Sequence, residues 1–186
     1  WTWNNIHISL TASDQWCEWS IDTYYCIYAS WSSCTGYISW NAFDVTCNTG
    51  ETCQKIIEYY SVDGLGNRES TKTSLIKIDK QAPSCNLNLS NEQFTNNNIE
   101  ITLSSADTGI WWILTKWGGD TTWWNTAGIS VSENGVYSVS VKDSLWNQTW
   151  CSITVSNIDK TPPTETTCSP NACFGSQKAV SCSITD

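Results

Sequence analysis

Aspartates provide the oxygen atoms through which this chain could hold a metal ion. Four of them stand at positions that recur along the sequence: Asp14, Asp63, Asp107 and Asp143. Turn chemistry explains such positions, since an aspartate side chain accepts hydrogen bonds from the backbone beside it. The alternative is calcium held between successive units, because carboxylate oxygens are preferred ligands of Ca²⁺, with Asp79 and Asp159 as further candidate ligands in the linkers. The sequence contains no DxDxDG-type calcium loop, so no cofactor is expected and calcium stays the alternative.

Side chains suited to catalysis form no recognisable motif. His7 is the only histidine; it alternates with apolar residues, matches Glu100 in a related segment and is expected to face water. The sequence contains no nucleophile–base signature, no phosphate-binding loop and no paired-carboxylate signature. We therefore expect that the chain is not an enzyme.

Tryptophan is unusually frequent, with 13 residues in a chain of 186. Exposed indole rings are stacking platforms for sugars, so a carbohydrate-binding module is an alternative function. The residues that would form its binding surface are Trp111, Trp112, Trp117, Trp123 and Trp124. A competing explanation is packing, in which each domain buries one or two indoles. Adjacent indoles also point to opposite faces of a strand, which argues against a single sugar-binding surface.

A third explanation of the tryptophans concerns the genetic code. Some bacteria read the UGA codon as glycine and others read it as tryptophan. If a gene of the first kind is translated with the code of the second, tryptophan appears wherever UGA encodes glycine. Trp146 stands where a related segment has Gly66, and Trp16 stands where another has Gly109. A positive φ angle is nearly free for glycine but costs an L-residue roughly 1–2 kcal/mol. UGG codons at both positions would rule this explanation out.

The sequence repeats itself. Residues 63–83, DGLGNRESTKTSLIKIDKQAP, match residues 143–163, DSLWNQTWCSITVSNIDKTPP, at a shift of 80 (143 − 63). Upstream, residues 2–14 match residues 95–107 at a shift of 93 (95 − 2). The first copy therefore carries 13 extra residues in its middle (93 − 80). Two ungapped matches that flank a variable middle predict a tandem repeat.

Three successive domains follow from these matches, and the motif IDKxxP closes the first two. Residues 1–80 are copy one, which is expected to lack its first strand. Residues 81–160 are copy two, which is expected to be complete, and residues 161–186 begin a truncated third copy. The chain is interpreted as a fragment of a longer tandem array.

Alternating apolar and polar residues predict β-strands in both copies. The pattern runs through residues 6–12 and 99–103, and VYSVSV at 136–141 places Val139 and Val141 on one face. DGLGN at 63–67 predicts a short hairpin loop with glycine at a positive φ angle. No stretch has a helical apolar stripe. The fold class is therefore all-β, and units of about 80 residues suit an immunoglobulin-like sandwich.

Several motifs resemble a known family. YYSVDGLGNRES, IKIDKQAP and NGVYSVSVKD are similar to the immunoglobulin-like tandem repeats of bacterial and archaeal surface proteins, which end in D-x-x-GN…IDKTAP. The resemblance covers nearly all of residues 1–163 and is weaker beyond them. It implies tandem immunoglobulin-like β-sandwich domains that serve as stalk or adhesin modules and have no catalytic residues. The cysteine-rich middle of copy one departs from the family pattern.

The ten cysteines suit a secreted, disulfide-stapled chain. A zinc site is the alternative, but the sequence has no CxxC pair and one histidine. The first and last strands of such sandwiches are neighbours, which favours a Cys85–Cys151 bridge. The spacing favours two further bridges that close short loops, Cys26–Cys34 and Cys47–Cys53. Cys17 has no evident partner.

The net charge of −9 disfavours binding to nucleic acid or to anionic lipid and suits an exposed, soluble surface. The expected function is a non-catalytic structural or adhesive module, outside the cell or at its surface. Its expected partners are neighbouring repeats of the same chain and a host or cell-surface protein or glycan, with no membrane insertion in these residues. An accessory domain of a secreted hydrolase is a further alternative.

Overall fold

The computed structural model describes residues 1–15, 20–110, 112–170 and 180–185, which form fourteen β-strands and no helix. The all-β prediction is therefore confirmed for this part of the chain. The strands are β1 (Ile6–Ser9), β2 (Asp22–Ala29), β3 (Ile38–Ser39), β4 (Ala42–Val45), β5 (Thr52–Val62), β6 (Lys72–Asp79), β7 (Asn86–Leu89), β8 (Ile99–Ser104), β9 (Leu114–Trp117), β10 (Gly128–Val131), β11 (Gly135–Lys142), β12 (Gln148–Val155), β13 (Thr164–Pro170) and β14 (Val180–Thr185). None of the described segments contains a helix long and apolar enough to cross a membrane.

Copy one contains two antiparallel sheets. One has the strand order β3-β2-β5-β6, and the other pairs β1 with β4. Ile57 and Ile78 from the larger sheet pack with Val45 from the smaller one, and all three side chains are buried. Because successive strand residues face opposite sides, the sheets bury one face each against the other.

Copy two has two sheets of three strands, in the orders β10-β8-β7 and β12-β11-β9. Ile99 and Ile101 from the first sheet pack with Val139 and Val141 from the second, and each of the four is at most 1% exposed. The predicted alternation in VYSVSV is thus confirmed, with Val139 and Val141 inside, whereas Val136 is 72% exposed on the face of the serines. The third copy is represented by the antiparallel pair β13–β14, in which the backbone register sets Cys168 opposite Cys182.

Three disulfides join the cysteine pairs that the sequence suggested. Two close short loops in copy one, Cys26–Cys34 and Cys47–Cys53. The third, Cys85–Cys151, links the chain just before β7 to β12 and so connects the two sheets of copy two. Disulfides persist in oxidising compartments, so these three indicate a location outside the cytoplasm.

The cysteine-rich middle of copy one contacts the larger sheet of that copy. Cys34 is bonded to Cys26 on β2, and the hydroxyl of Tyr37 donates a hydrogen bond to the carboxylate of Glu58 on β5. Tyr28 donates a second hydrogen bond to the same carboxylate at 3.0 Å. Ile57, next to Glu58, belongs to the core, so Glu58 faces away from it. The segment that carries Cys34 and Tyr37 therefore covers part of the outer side of this sheet.

The repeated loop has the same backbone structure in both copies. Asp63 N donates to Asn67 O at 3.1 Å, and Asp143 N donates to Asn147 O at the same distance. Each aspartate Oδ1 accepts hydrogen bonds from the amides two and four residues later, at 2.8–2.9 Å. The third residue after the aspartate has positive φ in both loops, 87° at Gly66 and 71° at Trp146. Trp146 is the one non-glycine residue in the described ranges with positive φ.

The strain at position 146 gives a stability prediction. Glycine at 146 is expected to make the protein about 1 kcal/mol more stable than alanine there, because both variants lack the indole and only alanine resists positive φ. Gly66→Ala is expected to cost a similar amount, since a Cβ there meets no atom within 4 Å and strain alone acts. Urea unfolding measures both changes.

Gly36 provides the matched control, because its added Cβ also meets nothing within 4 Å and its φ is not positive. Gly36→Ala is expected to be neutral or slightly stabilising. If Trp146→Ala were as stable as Trp146→Gly, position 146 would not require glycine.

Candidate cation site where copy one meets copy two

Three aspartate carboxylates converge at the junction of the two copies. Asp79 ends β6 in copy one, whereas Asp107 follows β8 and Asp143 follows β11 in copy two. One carboxylate oxygen from each residue lies within 4.8 Å of the other two. Asp79 is completely buried and Asp143 is 1% exposed, so three acidic groups share a site that is largely removed from water.

Backbone amides fix the two carboxylates of copy two. Asp107 Oδ1 accepts hydrogen bonds from Gly109 N at 2.8 Å and Ile110 N at 3.2 Å. Asp143 Oδ1 is held by the amides of its own loop, and its Oδ2 accepts a hydrogen bond from Asn147 Nδ2 at 2.7 Å. The turn chemistry foreseen from the sequence is therefore present, and it orients the carboxylates.

The carboxylate of Asp79 accepts hydrogen bonds on only one of its two oxygens. Asp79 Oδ1 accepts hydrogen bonds from Gln81 N at 3.1 Å and from the Thr52 hydroxyl at 2.9 Å. Asp79 Oδ2 is buried without a hydrogen-bond donor, and so is Asp107 Oδ2. An unpaired buried carboxylate oxygen is costly, because the charge loses its hydration and gains nothing in return. These two carboxylates approach within 4.8 Å, and either a cation or a shared proton would neutralise their unpaired oxygens.

The donor set fits a hard divalent cation. Every ligand atom is an oxygen, which suits Ca²⁺ or Mg²⁺ rather than zinc. Oxygens on opposite sides of one calcium ion, at 2.3–2.6 Å from it, are about 5 Å apart. The separation of 4.8 Å or less between the three carboxylates is therefore compatible with one shared ion.

Gly109 and Asn147 allow the linker to approach this closely. A Cβ atom built on Gly109 would overlap the carboxylate of Asp79, so a side chain at position 109 would displace the linker. Asn147 Nδ2 donates a second hydrogen bond, to the carbonyl oxygen of Asp79 at 3.2 Å. The sequence comparison marked Asn147 as a recurring residue, but its role in the junction follows only from the tertiary contact.

The electrostatics of the site are unfavourable without a cation. Burial raises the pKa of Asp79 above its ordinary value, and the neighbouring charges of Asp107 and Asp143 raise this pKa further. The hydrogen bonds from Gln81 and Thr52 oppose the increase. An ionised Asp79 therefore destabilises the folded chain relative to the unfolded chain when no cation is bound.

The raised pKa predicts opposite pH responses with and without metal. A group with a raised folded pKa favours folding when it is protonated, so metal-free protein is expected to become more stable as the pH falls through the raised pKa of Asp79 toward the ordinary value of an aspartate. In calcium the trend should reverse, because protons compete with the ion for the carboxylates. Asp63 and Glu69 have lowered pKa values and remain ionised through this range.

Urea unfolding at several pH values, in calcium and in metal-free buffer, measures both trends. In metal-free buffer, the gain in unfolding free energy at lower pH should be absent from Asp79→Asn. The same pH trend in both buffers would contradict the assignment.

The structure separates the two linker aspartates that the sequence suggested as calcium ligands. Asp79 lies in the cluster, whereas Asp159 is exposed and belongs to no cluster of three or more potential metal ligands among the described residues. Its Oδ1 accepts a hydrogen bond from Thr161 N at 2.9 Å. His7 is exposed, as expected, and its Nδ1 lies 2.7 Å from Asp44 Oδ1. Cys47 and Cys53, which lie near Glu51, are bonded to each other and so are not metal ligands.

The tryptophans proposed as a sugar-binding surface occupy different environments. Trp117 is 4% exposed and packs in the hydrophobic core of copy two, so its assignment to a ligand surface is wrong. Trp112 and Trp124 are exposed. The ammonium group of Lys142 lies over the ring of Trp123, 4.3 Å from the ring centroid. Trp111, like Trp16 and Cys17, lies outside the described residues.

No family model matches the sequence of this chain, and no curated protein is significantly similar to it. The function is therefore argued from the junction itself.

Proposed function

We propose that this chain is a non-catalytic extracellular module in which two immunoglobulin-like repeats are held end to end by a calcium ion. The module would act as a structural or adhesive segment of a secreted or cell-surface protein. The observation that carries this proposal is the pair of buried, unpartnered oxygens on Asp79 and Asp107, which come from different copies.

The chemistry of the junction supports a mechanical role. When bound, the cation supplies positive charge to three carboxylates that otherwise repel one another. Asp107 and Asp143 are held by their own backbone amides, so copy two presents a preformed half of the site. Asp79 supplies the other half from the end of β6, and Thr52 and Gln81 fix its orientation. Closing the site therefore sets the angle between the two copies.

Local hydrogen bonds limit the freedom of the linker in addition. The Thr52 hydroxyl lies 3.1 Å from that of Thr108, and the Thr108 hydroxyl donates to Gln81 Oε1 at 2.6 Å. Pro83 follows in the linker, is almost completely buried and has a fixed φ angle. These contacts join copy one, the linker and copy two directly, which is the arrangement expected of a stiff segment.

Backbone NMR relaxation tests this function. In calcium, the two copies are expected to tumble as one body, with a common rotational correlation time. In metal-free buffer their correlation times should separate, because the repelling carboxylates no longer fix the junction. Asp143→Asn should behave in calcium like the metal-free protein, whereas Asp63→Asn, the matched change in the copy-one loop, should behave like the parent. Identical correlation times in the two buffers would refute the cation-dependent junction.

A further inference from the structure

The outer side of the larger sheet in copy one carries tyrosine rings in mutual contact. The ring of Tyr60 on β5 stacks on that of Tyr24 on β2, with the ring centroids 5.2 Å apart. Tyr37 packs against Tyr60 edge to face, with a centroid separation of 4.8 Å. The guanidinium carbon of Arg68 lies 3.7 Å from the centroid of the Tyr60 ring. We call these four side chains, together with Glu58, the tyrosine surface.

Copy two shows that the sandwich does not require aromatic residues on this side of the sheet. By the shift of 80, Glu58 and Tyr60 on β5 correspond to Ser138 and Ser140 on β11. Both strands bury their alternate residues in a core, so the difference between the copies is confined to the outward positions. Since serine suffices there in one copy, the tyrosine surface is a feature specific to the other.

Hydrogen bonds hold the tyrosine surface in one arrangement. The hydroxyl groups of Tyr37 and Tyr28 donate to the two different carboxylate oxygens of Glu58. The segment that carries Tyr37 is also tied to β2 by the Cys26–Cys34 disulfide. A ligand that binds to rings already fixed in this way loses little free energy to ordering them.

Arg68 supplies a positive charge that no carboxylate of the described residues neutralises. It is the only arginine of the chain and it is exposed. Its Nη2 donates to the Thr71 hydroxyl at 3.0 Å, and it takes part in neither of the two ion pairs found within the described ranges. A guanidinium has five N–H donors in a planar fork, which matches the two oxygens of a carboxylate. Stacked on an aromatic ring, Arg68 is therefore oriented to bind an anion.

The size and chemistry of the tyrosine surface favour a compact anionic sugar. Tyr37 is 36% exposed, and Tyr24 and Tyr60 are half-buried. This exposed area is small beside the roughly 800 Å² that each partner contributes to a typical protein interface. Tyrosine combines an apolar ring with a polar end, so its ring packs against the C–H groups of a sugar while polar groups at its edge bind the hydroxyls.

We propose that the tyrosine surface binds an acidic glycan: a sugar ring packs against Tyr24 and Tyr37, and its carboxylate or sulfate group pairs with Arg68. The inference rests on the proposed function, because it names the ligand of an adhesive extracellular module. It does not require the calcium junction, which lies elsewhere in the chain. The aromatic residues involved are all tyrosines, so the site is independent of how UGA codons are read.

A glycan array that presents uronic-acid, sialic-acid and sulfated glycans beside neutral ones tests this proposal with the full chain. Binding is expected to the acidic glycans only, and the array distinguishes a carboxylate from a sulfate ligand. Arg68→Gln is expected to weaken binding to the best acidic glycan roughly tenfold or more, because it removes charge-assisted hydrogen bonds. Arg68→Lys should recover only part of the affinity, since lysine keeps the charge but not the planar fork.

Lys116→Gln is the matched control, because it removes one positive charge from copy two and should bind like the parent. Tyr37→Ala removes a packing ring and should weaken binding without a change of charge. Urea unfolding shows that each variant is folded.

Asp79→Asn separates this inference from the calcium junction, because it should lose calcium and keep glycan binding. Absence of binding to every acidic glycan, equal binding to neutral glycans, or binding unchanged in Arg68→Gln would overturn the inference and leave the junction standing. Self-association that Arg68→Gln abolishes, without glycan binding by the parent, would overturn it as well and assign the tyrosine surface to a protein contact. Glycan binding by a parent that binds no calcium would overturn the junction alone.

Discussion

Replacing Asp79 with asparagine is expected to stabilise the metal-free protein and to destabilise the calcium-loaded protein. Without metal, the change removes one of three clustered negative charges and places an amide where Asp79 Oδ2 has no hydrogen-bond donor. The new amide can donate to Asp107 Oδ2, which also lacks a partner. Satisfying buried polar atoms of this kind is worth about 1–3 kcal/mol.

In calcium the same change removes a ligand. A free calcium concentration of one hundred times the dissociation constant stabilises the folded state by about 2.7 kcal/mol. The variant is expected to lose most of this stabilisation. Urea unfolding of parent and variant in both buffers gives the four free energies. Asp63→Asn is the control, because it makes the same chemical change at a carboxylate away from the junction. A destabilisation of equal size in both buffers would mean that Asp79 serves only as a structural hydrogen-bond acceptor.

Loss of the Cys85–Cys151 disulfide is expected to cause the second large effect. This bond closes a loop with a sequence separation of 66 and connects the two sheets of copy two. Restricting the unfolded chain over a loop of this length is worth about 4 kcal/mol. The double variant Cys85→Ala and Cys151→Ala should lose about that much stability in urea unfolding.

The Cys26–Cys34 bond provides the matched comparison, since its sequence separation is 8. Its removal by the same double substitution is expected to cost about 2–3 kcal/mol, because a short loop restricts the unfolded chain less. An equal or larger cost for the short loop would show that native packing, rather than loop closure, determines these values.

Much of the fold could be predicted from local sequence signals. The alternation around Val139 and Val141 marks the buried face of β11, because side chains on a strand alternate between its two sides. The five-residue pattern from Asp63 to Asn67 specifies its own loop, since the aspartate bonds to amides within the same segment. Such features need no information from distant residues. The Cys85–Cys151 bridge, in contrast, was predicted from the strand order of the immunoglobulin-like sandwich and not from a local pattern.

The candidate site could be predicted only in part. Recurrence along the sequence drew attention to Asp107 and Asp143, and the linker motif to Asp79. The closeness of these three groups arises from how copy two sits on the end of β6, which no local pattern encodes. The requirement for glycine at 109 has the same origin, because the obstructing atom belongs to Asp79. Trp117 was misassigned for a related reason: an indole suits a core as well as a surface, and only the packed sheets distinguish the two.

Isothermal titration calorimetry of metal-stripped protein with calcium, at concentrations where the chain is monomeric, tests the cation-held junction most directly. The expected result is saturable binding of one ion per chain that disappears in Asp79→Asn and Asp143→Asn and persists in Asp63→Asn. No binding by the parent, or binding unchanged by both junction substitutions, would show that the three carboxylates do not hold a cation.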